Sequence, residues 1–206
     1  MNKDLHWKAI LSKIIIDVYT SRNRHYHTMR HIYNMLFTFD DLEQKEKISR
    51  DFRSCTVEAF RWAIKLHDII IYSPQSEQDS AILAERLLSE LLHPVLIEEV
   101  KSLILATDYN RDENYTFEQK LIRDLDLMIL STEGKTYNNY VELIKQEFID
   151  NYKGTVQEFE SARLHWINQM LLKSKIYSTS QFEPVEKYAR INLNKEKERY
   201  GNKEIL

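Results

Sequence analysis

Glycine and proline are scarce in this chain, three of each in 206 residues. Few tight turns are available, which favours helices joined by short polar loops. A lone cysteine, Cys55, cannot close an internal disulfide and fits a reducing compartment. No apolar run approaches the roughly 20 residues that span a bilayer. The mixed charges of the N-terminus are unlike a signal peptide, so the expected location is cytoplasmic. Basic charge is not in excess either: 29 Lys and Arg stand against 32 Asp and Glu, a net charge of −3 with both signs interspersed. That pattern leaves no basic footprint for a nucleic-acid polymer. Neither a membrane nor a nucleic-acid partner is expected, and a homodimer is left open.

What is present is the composition of a folded soluble domain, 43% apolar and 30% charged. The length suits one medium domain with a substantial core and is short for two. Nearly every segment carries helical periodicity. Leu5, Ala9, Ile10 and Ile14 begin a first apolar stripe. A polar break at residues 20–24 leads to a second helix carrying His27, His31, Met35 and Leu36. Residues 41–54 are charged and weakly patterned, a connection with room for one short helix. Thr56 can cap a third helix that runs through Phe60 and Ile64 to His67-Asp68. Pro74 then marks a loop. Further helices are expected over 77–92, from Pro94 to about 107, and over 117–130, 137–152, 155–174 and 184–200. The last becomes strongly charged and is expected to fray beyond Leu193. We expect an all-α chain forming a single domain over 1–206.

Three separated stretches carry the chemistry. His27 and His31 are spaced i, i+4, which on a helix turns both rings to one face. The spacing is common by chance and equally compatible with packing. His67-Asp68 closes an apolar run; adjacent helical positions diverge by about 100°, so both reach one ion only near the helix end. A buried Asp there costs several kcal/mol unless it is paired or ligated. Asp126 interrupts an apolar run from Leu125 to Leu130, where a core helix has no use for a carboxylate. Asp124, two positions earlier, faces differently, so one of the two points inward and the other lies at the surface or supports a ligand. Together His31, His67, Asp68 and Asp126 make two imidazoles and two carboxylates. That donor set suits one divalent ion such as Mn²⁺, Fe²⁺, Co²⁺, Zn²⁺ or Mg²⁺, and points to metal-assisted hydrolysis of a phosphate ester.

The order His, His-Asp, Asp on successive helices resembles the HD superfamily of metal-dependent phosphohydrolases. Tyr26-His27-Thr28-Met29-Arg30-His31 is similar to the Tyr-His-x-x-x-His signature of class I cyclic-nucleotide phosphodiesterases. In that signature the second His binds metal and the first donates a proton to the leaving oxygen. A bacterial group of small HD phosphohydrolases of this length resembles the chain more fully. Its motifs correspond to Arg24 to His31, Leu66-His67-Asp68, Ser76-Glu77-Gln78-Asp79-Ser80, Asp124 to Leu127 and Ala189-Arg190-Ile191-Asn192-Leu193, so the likeness extends over about residues 15–195.

The resemblance implies an HD-domain-like helical bundle with the metal between central helices, and a small phosphorylated substrate, plausibly a nucleotide. It assigns His31, His67, Asp68 and Asp126 to the metal and His27 to the leaving group. Asp68 would orient or deprotonate the attacking water. Arg24 would pair with phosphate oxygens as a catalytic and substrate-binding group. Glu77 and Tyr72 are further expected substrate contacts, though Glu77 equally suits a helix N-terminus and Tyr72 the edge of the core. Two positions depart from the group: Ser76 stands where Asn is expected and Asn110 where a His is usual. The only His between His67-Asp68 and Asp126 is His93, so one tightly held metal is expected rather than two. The same shortage argues against the di-iron oxygenases of the fold. The competing reading is a catalytically silent HD-fold module that binds metal or ligand.

Overall fold

The computed structural model describes residues 3–45, 48, 55–111 and 114–201. Among the described residues every regular element is helical, nine α-helices and two short 3₁₀ turns. The chain is all-α, and none of these helices is long and apolar enough to cross a membrane. Part of the connection expected over 41–54, residues 46, 47 and 49–54, lies outside the described residues. The chain resolves into two compact units, residues 1–125 and 126–206.

The first unit begins with α1 (Lys3–Tyr19), where Leu11, Ile15 and Tyr19 recur every fourth position and bury one seam. Trp7 lies farther along the same helix and donates its indole N–H to the Leu87 carbonyl at 3.2 Å. The next helix, α2 (Met29–Gln44), buries His31, Ile32, Met35, Phe39 and Leu42. The short α3 (Val57–Leu66) packs against α2, α4 (Ser76–Leu88) and α5 (Pro94–Leu105), and Phe39 stacks on Phe60 at 4.5 Å between ring centres. Being enclosed on several sides, α3 carries His67 at its end into the interior, where it is buried. The unit closes within α6 (Phe117–Leu127), at Leu125.

Local chemistry sets these helix starts. Thr56 Oγ1 accepts the Ala59 N–H at 3.1 Å and caps α3. His93 caps α5, with Pro94 in its first turn, where a missing N–H costs nothing. Thr56→Ala is expected to lower stability by about 1 kcal/mol, read as a shift in denaturant midpoint at unchanged slope.

The second unit begins with the last two residues of α6 and continues through a 3₁₀ turn (Met128–Ser131), α7 (Gly134–Tyr152), α8 (Val156–Leu172), a second 3₁₀ turn (Glu183–Val185) and α9 (Glu186–Gly201). Its core includes Tyr137, Ile167, Tyr177 and Leu193. α7 stops at Lys153 in the left-handed region, φ 55°. Gly154 follows because a Cβ there would lie 2.5 Å from the Phe148 ring. Thr155 and Glu158 then form a reciprocal capping box on α8. The Thr155 backbone N–H, helped by its hydroxyl, holds the Glu158 carboxyl below the usual range.

The expected fraying past Leu193 does not occur, and the reason is a buried ionic network. Glu196 is fully buried and accepts from Arg163 Nε at 3.0 Å and Nη2 at 3.3 Å, from the Tyr137 hydroxyl, and from the Tyr200 hydroxyl at 2.9 Å. Arg163 also donates to Tyr140 Oη at 3.2 Å and lies 4.3 Å over the Trp166 ring. Burial pushes the Tyr137 phenol well above its ordinary pKa against the pull of Arg163, and Glu196 raises it further. The phenol therefore stays protonated and donates.

Candidate metal centre

Four of the expected ligands come together. His31, His67, Asp68 and Asp126 each offer one donor atom, and all four atoms lie within 4.8 Å of one another. His31 comes from the first turn of α2, His67 is the residue that ends α3, and Asp68 follows it. Asp126 rides on α6, which is continuous through Leu127 and therefore carries it one step past the buried Leu125.

His67 is the best oriented of the four. Its Nδ1 lies 3.0 Å from the Ile64 carbonyl, an oxygen that can only accept, so Nδ1 carries the proton. In the neutral ring Nε2 is then a bare lone pair, and it points into the cluster. It meets His31 Nε2 at 3.2 Å and Asp68 Oδ2 at 2.9 Å. His31 Nε2 is in turn 3.6 Å from the same carboxylate oxygen. An imidazole lone pair facing a carboxylate is repulsive unless positive charge lies between them. Either a proton on Nε2 or a cation held among the four donors meets that need. The group can hold a metal ion, and two imidazoles with two carboxylates suit the same divalent ions inferred from sequence.

His27 reaches the cluster by a different route from the one its spacing implies. α2 starts at Met29 with Thr28 as its N-cap, so His27 precedes the helix. The i, i+4 rule does not place it. Its Nε2 nevertheless lies 3.9 Å from Asp68 Oδ2, and its ring packs edge-on against Tyr26 at 4.9 Å and His31 at 5.9 Å between centres. The His27 side chain is 26% exposed, against 3% for His31 and 1% for His67. It is the imidazole at the solvent edge of the group.

Arg24 is the main correction. The guanidinium expected to grip phosphate is 8% exposed and directed at backbone carbonyls. It donates to His27 O at 3.1 Å, Asp68 O at 2.8 Å and Ile69 O at 3.0 Å, with its carbon 4.8 Å over the Tyr19 ring. Three of its five N–H groups are thus directed at the backbone rather than outward to a phosphate. Asp124 is buried at 1% exposure, which removes the surface alternative for it. Glu77 sits half-buried in the first turn of α4, outside the four-residue group. Tyr72 is half-buried in the segment after Asp68 and adopts a left-handed φ of 60°, a costly conformation for an aromatic residue that tends to mark functional loops. That segment is pinned where Ser80, fully buried, exchanges two 3.1 Å hydrogen bonds with the Ile70 backbone. Ser76, which replaces the expected Asn, bonds the Ser73 backbone instead, donating to O at 2.9 Å and accepting from N at 3.0 Å.

Other eye-catching residues serve the fold. Arg190 donates to Lys173 O at 2.8 Å and Ser174 O at 3.1 Å beyond the end of α8, steadied by Glu186 at 2.7 Å. Asn192 Nδ2 bridges the Leu130 and Thr132 carbonyls at 2.9 Å each. Cys55 has its thiol pKa pushed far up by burial, and by Glu118 and Glu99, so it is not a nucleophile. A cleft of 380 Å³ lined in part by Lys101, Arg111 and Gln119 contains none of the four ligands. Its cations are already engaged, Lys101 with Glu98 at 2.8 Å and Glu85 at 2.9 Å, Arg111 with Asp108 at 3.2 Å. Set beside known proteins, the chain matches no family model, no curated protein and no solved structure.

Proposed function

We propose that the chain is a cytoplasmic metal-dependent phosphohydrolase of the HD type, acting on a phosphate ester of a small metabolite such as a nucleotide. The observation that carries this reading is the placement of His27. A site built only to hold a metal has no use for a third, partly exposed imidazole 3.9 Å from a ligand carboxylate.

His31, His67, Asp68 and Asp126 would hold the ion, with the His67 ring fixed by its bond to Ile64. Bound there, the metal supplies Lewis acidity to a phosphoryl oxygen and lowers the pKa of water toward neutrality. Asp68 orients the attacking water and takes its proton. As the water oxygen bonds to phosphorus, the ester P–O bond breaks, and protonated His27 gives its Nε2 proton to the departing oxygen. The products are an alcohol with inorganic phosphate from a monoester, or an alcohol with a phosphomonoester from a diester. Tyr72 and Glu77, on the segment running on from Asp68, are the substrate contacts of this reading.

His27→Ala tests it. The variant is expected to keep its metal content while turnover of a phosphate ester falls about 10²–10⁴-fold. Metal analysis alongside initial rates on a panel of nucleotides and sugar phosphates makes the check. Full turnover in the variant removes the proton-donor role. Metal without turnover in the parent protein, across the panel, leaves a binding module in place of the enzyme.

A further inference from the structure

His27 lies outside α2, so helix geometry does not set its distance from the ligands. Something else must hold the 24–28 segment against the end of α3, and the Arg24 side chain donates to both. Its Nη1 shares hydrogens between the carbonyls of His27 and Asp68, the two residues whose side chains meet at 3.9 Å. Its Nη2 takes the carbonyl of Ile69, one residue further. The carbonyls beyond α3 also carry the negative end of its dipole, which favours a cation there. The Arg24 backbone N–H is itself tied to Ser21 O at 3.1 Å, and the Tyr19 face covers the guanidinium.

We infer that Arg24 is a positioning residue: one guanidinium locks the proton-donor segment to the ligand segment through their backbones and so sets the register of His27 against Asp68. The planar fork is essential, because three carbonyls in two directions match a guanidinium and not the point charge of an ammonium. Lysine at this position keeps the charge and loses the clamp.

The test uses the full-length protein and three readouts on Arg24→Lys and Arg24→Met. The first is the dissociation constant for Co²⁺, followed by its visible absorption. It is expected to weaken about 10-fold or more in both variants, as when other partners that orient ligands are lost. The second is the division between kcat and KM on a phosphate ester, which rests on the proposed function; kcat is expected to fall while KM stays within about two-fold, the signature of lost alignment. The third is amide hydrogen exchange on the metal-free protein, where residues 25–28 and 67–70 are expected to exchange faster together while the rest of the chain does not change. This third readout stands if the protein turns nothing over, so failure of the hydrolase reading and failure of the clamp are distinguishable. If the methionine variant does not fold, the lysine variant carries all three. A raised KM with unaltered Co²⁺ affinity and exchange would make Arg24 a phosphate ligand and overturn the inference. Parent-like behaviour in every readout would overturn it equally.

Discussion

Asp126→Ala is expected to strip the protein of metal and of turnover together, from about one equivalent of transition metal to almost none. Loss of groups that merely orient a ligand costs 10–100-fold in affinity or activity, so loss of a ligand itself should exceed about 100-fold in both. The informative control is Asp124→Ala. Asp124 is the more buried of the two, at 1% exposure, yet it lies outside the group whose donor atoms converge. Its removal is expected to leave the metal in place. Metal analysis of both variants after reconstitution decides between them: an empty Asp124→Ala protein beside a loaded Asp126→Ala protein would sink the ligand assignment. A second readout separates a ligand from a structural carboxylate. In metal-free protein Asp126 adds like charge beside Asp68, so Asp126→Ala is expected to melt no lower than the metal-free parent, and higher if that repulsion is felt. A structural Asp would instead cost stability when removed.

The largest stability effect is expected at Glu196. Glu196→Ala leaves the Arg163 guanidinium buried without its carboxylate and removes the acceptor of the Tyr137 and Tyr200 hydroxyls. Breaking a buried pair from one side costs about 3–5 kcal/mol, which for a chain of this length lowers the melting temperature by on the order of 10 °C. The double variant Arg163→Met/Glu196→Leu is expected to be less destabilised than the two single changes summed, because neither charge is then stranded. Thermal unfolding followed by circular dichroism reads all of this. A single variant melting within about 2 °C of the parent would mean that the pair does not carry the end of α9.

How much of this could be read beforehand varied with the range of the contacts. Helices announced themselves through apolar spacing, and Thr56 and Pro94 marked two starts, because caps and periodicity are local. Three of the four candidate ligands were legible because they break a local rule, a His-Asp ending an apolar helix and an Asp inside an apolar run, whereas His31 stood out only beside them. His27 was misleading for the opposite reason. Its spacing to His31 is helical, but Thr28 is extended at φ −111° and begins the helix only after it. Arg24 resembles a surface cation until its partners are seen 44 and 45 positions away. Glu196 stands in the charged run Asn194-Lys195-Glu196-Lys197-Glu198-Arg199, indistinguishable from solvated neighbours. Only Arg163 and Tyr137, 33 and 59 positions distant, make it a core residue.

The separate mounting of His27 has an evolutionary consequence. The ligands His31, His67 and Asp126 sit in or at the ends of helices, whereas His27 rides on a short non-helical stretch fastened by Arg24. The two halves of the site can therefore drift under different selection. On the proposed reading, a descendant that alters residue 27 keeps the four residues that can hold an ion and loses only the proton donor, a one-step path from a hydrolase to a receptor for the same metabolite.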